Sequence, residues 1–112
     1  MVPRRLRYYR HLAGAVLRWY AELEDGLLPG GEFEANALNF RVDVDLVLKR
    51  FSLPERAIAL AIHRDGLSQT DAVARSGWSV ERPDHLVADI EFRMGLLFEQ
   101  RGLANLQRYL QR

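Results

Sequence analysis

From Arg4 to about Leu23 apolar residues return every three or four positions. Leu6, Tyr9, Ala13, Val16, Leu17, Tyr20 and Leu23 form one stripe, and Tyr8, Leu12, Ala15 and Trp19 form a second beside it. This spacing predicts one long helix. Arg7, His11, Gly14 and Arg18 are left as a narrow polar face. An apolar arc this wide is buried on more than one side, and a homodimer through this N-terminal helix is one way for so small a chain to cover it. Gly14 costs about 1 kcal/mol of helix stability relative to alanine, so another helix is expected to come close there. Asp25-Gly26 and Pro29-Gly30-Gly31 then break the pattern, and residues 25–42 read as a loop.

Residues 41–48 carry two patterns. Val42, Val44 and Leu46 alternate with Asp43 and Asp45 as in a strand, whereas Phe40, Val44, Val47, Leu48 and Phe51 keep helical spacing. No second strand signal exists to pair with a strand, so a helix is expected. Asp43 would cap it, Asp45 would favour its N-terminal dipole, and Lys49 and Arg50 its C-terminal end. Ser52-Leu53-Pro54-Glu55 is a capping box, with proline tolerated in the first turn. Leu53, Ala57, Ile58, Leu60, Ala61 and Ile62 are expected on the buried face of that helix, which Asp65-Gly66 ends.

Ser68 caps a further helix, with Asp71 at the capping-box position, and only about two turns follow before Gly77. So short a helix is held by its neighbours or not at all. Gly77 supplies the positive φ of a sharp reversal, and Trp78 is placed as a core plug at the turn. The next helix starts at Ser79 or Arg82, with Pro83 in its first turn. It runs through Leu86, Val87, Ile90, Met94, Leu97 and Phe98 to Arg101-Gly102, and Gly95 within it marks a close crossing or a mild bend. Leu103, Leu106, Tyr109 and Leu110 continue as a short terminal helix over 103–112. The fold class expected is therefore all-α: one domain, 1–112, a small bundle of five or six helices containing a helix-turn-helix.

Composition adds constraints. Of 112 residues, 48% are hydrophobic, enough for a core, and the net charge of +1 announces no polyanion partner for the molecule as a whole. The absence of cysteine removes disulfide and thiolate chemistry and fits a reducing compartment. No apolar run approaches the roughly 20 residues of a bilayer span, and Met1-Val2-Pro3-Arg4-Arg5 is not followed by a signal-peptide core. A cytoplasmic protein without a membrane partner is expected. His11, His63 and His85 lack ligand spacing, so no metal is expected. No nucleophile elbow or glycine-rich phosphate loop occurs, so neither catalysis nor a cofactor is expected.

The pieces Leu46 to Phe51, Leu53-Pro54-Glu55-Arg56, Ala57 to Ile62, Gly66-Leu67-Ser68 and Gly77-Trp78-Ser79 resemble the C-terminal, promoter-reading domain of bacterial sigma factors over about a third of the chain. Residues 72 to 79 are also similar, more weakly, to the helix-turn-helix of phage terminase small subunits. Both resemblances imply DNA binding by a helix-turn-helix. The chain departs from the sigma pattern at Asp71-Ala72-Val73, where a valine replaces a small residue, and at Pro83. It also lacks the preceding domain that binds the polymerase core, so it is not expected to be a complete sigma factor.

In such a domain the second helix enters the major groove with its N-terminal residues at base edges. Those would be Val80, Glu81, Arg82, Asp84 and His85. Arg82 would be bidentate to guanine and Glu81 would accept from cytosine. Ser68, Gln69 and Thr70 would hold a phosphate through backbone N–H groups, with Arg75 adding a phosphate contact and Ser79 opening the reading helix. Against this, Glu81, Asp84, Asp89 and Glu91 make that helix acidic, which weakens the phosphate contribution to affinity. Ser68, Asp71 and Ser79 are also explained as helix caps alone. The alternative is a helical protein–protein interaction module that keeps the fold and touches no DNA. Arg4, Arg5, Arg7 and Arg10, with Tyr8 and Tyr9 among them, form the strongest basic patch. It reads either as a nucleic-acid grip or as a solvated helix start with tyrosines in the core.

Overall fold

The computed structural model describes residues 4–24 and 32–104. Five helices follow one another: α1 (Arg4–Glu24), α2 (Glu32–Leu48), α3 (Leu53–His63), α4 (Gln69–Arg75) and α5 (Pro83–Gln100). Among the described residues there is no strand. None of the described helices is long and apolar enough to cross a membrane. The all-α reading holds. The terminal helix expected over 103–112 falls, from residue 105 onward, outside the described residues; Leu103 itself is a buried turn residue.

The wide apolar arc of α1 is covered by the chain's own helices. Leu12, Ala13, Val16, Leu17, Tyr20 and Leu23 are buried in one core with Phe40, Val44, Val47 and Leu48 of α2, Ile58 of α3, and Val87, Ile90, Met94 and Phe98 of α5, and Tyr9 is buried edge to face with Phe92 of α5. Trp19, from the second stripe, meets Phe40 edge to face at 5.7 Å between ring centres. α5 lies along one side of α1 and α2 along another, so the arc's width does not require a second subunit. Tyr8 is the member of the second stripe left half-exposed.

α1 and α5 meet at their closest where Gly95 faces Tyr9. A Cβ built on Gly95 would stand 2.0 Å from the Tyr9 carbonyl oxygen and 2.6 Å from its carbonyl carbon. The obstacle is backbone, which cannot swing aside as a side chain can. The crossing expected at Gly95 is therefore present, and it is what brings the two helix axes together. At Gly14 the close neighbour is a side chain: a Cβ there would come within 3.0 Å of the His63 ring.

α2 begins at Glu32, so residues 32–42 are helix where a loop was expected. Residues 32–34 form its first turn. Asp43 and Asp45 are consequently internal to α2 and cap nothing. The Tyr20 hydroxyl donates to Asp45 Oδ1 at 2.6 Å, and Arg101 Nη1 reaches Asp43 Oδ1 at 3.5 Å. In α3 the capping box at Ser52 and Glu55 is formed in both directions. Its buried side is Ile58, Ala59 and Ala61, with Leu60 and Ile62 partly buried, while Leu53 and Ala57 face solvent, contrary to expectation.

The Gly95→Ala variant is expected to be less stable by about 3 kcal/mol. The clash with Tyr9 backbone outweighs the gain of about 1 kcal/mol in helix propensity. The midpoint of urea denaturation measures the difference.

Candidate helix-turn-helix and the ion cluster behind it

α4 is a seven-residue helix capped by Ser68, whose side-chain oxygen accepts from the Asp71 amide at 3.1 Å. Two turns of helix do not stand alone. Ala72 and Val73 are buried in the core and hold it there, so the valine at the tight contact is accommodated. The chain reverses after α4 at Gly77, whose φ of +88° falls in the left-handed region that side chains avoid. Ser76 closes the helix, its hydroxyl donating to the Val73 carbonyl at 2.6 Å and accepting from the Trp78 amide at 3.3 Å. Trp78 is half-buried against the core, as a plug at the turn.

Of the two starts expected for α5, Ser79 and Arg82, the structure has the second, so the connection from α4 is long. Ser76 to Arg82 are seven residues outside either helix, against three or four in a typical helix-turn-helix. α5 starts at Pro83, with Arg82 as its N-cap and no side-chain cap bond. Ser79, Val80, Glu81 and Arg82 therefore form an exposed strap ahead of the helix, and Ser79 does not open it. Of the proposed reading residues, Asp84 and His85 lie in the first turn of α5 and are exposed. Ser68 and Thr70 are exposed and Gln69 half-buried at the start of α4. Arg75 lines a separate groove of about 560 Å³ between α3 and α4, together with Arg56 and Arg64.

The strap's arginine already has a partner. Arg82 binds Asp84 through two parallel hydrogen bonds, Nε to Oδ1 at 3.2 Å and Nη2 to Oδ2 at 2.9 Å. Each group steadies the other's charge: the hydrogen bond from Arg82 holds the Asp84 carboxyl below its ordinary value, and the bond to Asp84 holds the guanidinium above its own. His85 stands 3.9 Å from the same carboxylate. Farther along α5, Arg93 bridges Asp89 at 3.0 Å and Glu55, and lies over the Phe51 ring at 5.2 Å. Both arginines of α5 and its cap are thus engaged by carboxylates of the chain.

One carboxylate counted with the acidic surface of the reading helix is not on the surface. Glu91 is buried at 5% exposure. Its Oε1 accepts from Arg10 Nε at 2.9 Å and its Oε2 meets His63 Nε2 at 2.5 Å, joining α1, α3 and α5. Burial pushes the Glu91 carboxyl up, but the hydrogen bonds from His63 and Arg10, with their charges, outweigh it and leave the group below the ordinary glutamate value. A signal for this was present in the sequence. Positions 87, 91, 94 and 98 are one helical stripe, and Glu91 is its charged member among Val87, Met94 and Phe98. Arg10 thereby leaves the basic patch, and Tyr9 leaves it for the core, its hydroxyl donating to Glu99 at 3.2 Å.

Among the described residues no group of three or more His, Asp or Glu side chains is arranged to hold a metal ion. No protein-family model, curated protein or solved structure matches the chain.

A buried carboxylate with a lowered pKa stabilises the fold above its unfolded pKa, and that stability is lost as pH falls through the folded value. Wild-type stability is therefore expected to drop on acidification below the ordinary glutamate range. Glu91→Gln, which keeps one acceptor and removes the charge, is expected to cost about 2 kcal/mol at neutral pH and to flatten that acid limb. Denaturation midpoints followed from neutral to acid pH in both proteins check this.

Proposed function

We propose that the chain is a DNA-binding helix-turn-helix protein, a transcription regulator resembling the promoter-reading domain of sigma factors and working in the cytoplasm. One observation carries the reading. α4 and α5 are pinned by their buried faces, while the start of α4 and the leading end of α5 are both turned to solvent. A duplex would meet Ser68, Gln69 and Thr70 through backbone N–H groups at the start of α4. Val80, Glu81, Arg82 and His85 would meet base edges or phosphates from the strap and the first turn of α5. The protein acts by positioning and performs no chemistry. Arg75 belongs to the α3–α4 groove, and its phosphate contact is dropped from the proposal. Homodimerisation through α1 is also left aside, since the arc that called for it is covered within the chain.

A specific observation favours the second reading, a protein–protein interaction module. The cation nearest the groove-reading position, Arg82, is engaged by Asp84. Meanwhile Leu38, Val42 and Leu46, spaced by four on α2, form an exposed apolar stripe, the kind of surface that protein partners use.

The two readings separate in a duplex-binding titration over a range of salt. If DNA is bound, affinity falls steeply with salt, and Arg82→Ala weakens binding by about tenfold or more and relaxes base preference. Asp84→Asn, which frees the guanidinium and removes a negative charge, should tighten binding. Absence of salt-dependent binding in the wild type, with both variants silent, rejects the DNA reading and leaves the interaction module.

A further inference from the structure

The polar face of α1 has a use that neither reading requires. Arg7, His11, Gly14 and Arg18 recur at intervals of four, three and four, so they lie on one side of the helix. In the structure this side forms the wall and floor of a hollow of about 390 Å³, completed by Arg10, His63 of α3 and Glu91 of α5. Three guanidinium groups and two imidazoles line it, and Glu91 is its one carboxylate. Both Glu91 oxygens are already taken, by Arg10 and His63. Arg10 makes that bond through Nε, and among the described residues no acceptor takes its Nη groups. Among the described residues Arg7 and Arg18 have no carboxylate within ion-pair distance; Glu22, one turn beyond Arg18, is exposed and does not pair with it.

Like charges gathered around one opening repel, and the low-dielectric wall behind them reduces screening. The chain's one counter-charge in the hollow, Glu91, is shared between Arg10 and His63, and among the described residues none faces Arg7 or Arg18. Gly14 makes the floor. It is buried and has no side chain, and the Arg18 Nη1 atom lies 3.1 Å from where a Cβ would be. Any larger residue would displace the His63 ring or the Arg18 head and fill the hollow. A recess lined by forked donors and floored by glycine suits a multiply charged oxyanion, because guanidinium groups pair bidentately with such oxygens.

We propose that the hollow over Gly14 binds a phosphate group, with Arg7 and Arg18 closing on it from the two ends of the stripe and Arg10 and His63 behind it. The phosphate belongs either to a small phosphorylated molecule or to a nucleic-acid backbone. The site does not rest on duplex reading by α5 and survives the failure of that reading.

The test is a titration of the full chain with inorganic phosphate against chloride at matched ionic strength, read by amide chemical shifts and by thermal midpoint. The expected result is a saturating response centred on His11, Gly14 and His63 with a rise in midpoint that chloride does not give. Arg7→Ala/Arg18→Ala, both exposed positions, should weaken phosphate binding by about tenfold or more. Arg41→Ala, at an exposed arginine of α2, should leave it unchanged. No saturating phosphate-specific response in the wild type, or equal losses in the two variants, overturns the proposal. The source of the phosphate is read separately. If the double variant binds duplex with a salt slope lower by about two, the backbone is the source; an unchanged slope or no duplex binding assigns the site to a small phosphorylated molecule.

Discussion

The contact between α1 and α5 decides the rest of the structure. Its geometry is set by Gly95, which lets the Tyr9 backbone approach to a distance that a Cβ would forbid. Its chemistry is set one turn earlier on the same face of α5, where Glu91 is held between Arg10 and His63. A buried charge is tolerated only when paired and hydrogen-bonded. Glu91 therefore specifies not just that α1 and α5 touch but where along their lengths, and His63 brings α3 into the same register. A slip of α5 by one turn would bring the carboxylate against apolar groups and leave Arg10 without its partner.

With α5 held in this way, α4 has little freedom. It is too short to persist by itself and is kept by Ala72 and Val73 beneath it, by the Ser68 cap in front and by the Ser76 and Trp78 contacts behind. The leading end of α5 then projects because the anchoring contacts lie farther along the helix, at Glu91, Met94, Gly95 and Phe98. The projecting end is stiff at its base, as a surface for recognition needs to be. Its charges are balanced within the chain. Arg82 with Asp84, and Arg93 with Asp89 and Glu55, are pairs that a polyanion would have to compete for. Among the described residues Arg7 and Arg18, on the polar stripe of α1, make no such pair. The shape that suggests groove reading and the charge that suggests anion binding are thus on different parts of the molecule.

Much of this organisation is legible in the residues alone. The stripes of α1 and α5, the capping box at Ser52, the cap at Ser68, the turn at Gly77 and the crossing at Gly95 are local signals. Each depends on a side chain's own stereochemistry or on a period that the helix imposes. The same local logic misplaced the start of α2, because Pro29-Gly30-Gly31 reads as a break and the residues after it show no clear apolar stripe until Phe40. It also misjudged Leu53 and Ala57, which have helical spacing but lie on the side of α3 that no neighbour covers.

What the sequence by itself determined is most of the inventory: an all-α chain, the caps at Ser52 and Ser68, and most of the residues that enter the core. What only the tertiary structure decided is the meaning of the charges. Glu91 and Arg10 read as surface residues of separate helices, and His63 as one of three histidines without ligand spacing, until packing brings them together from positions 28 to 81 residues apart. The length of the strap before Pro83, and the hollow over Gly14, are likewise products of how helices meet. Helical period is a property of the chain's own backbone and can be counted along it. The pairing of a charge depends on distance through space, and that is set only when the core closes.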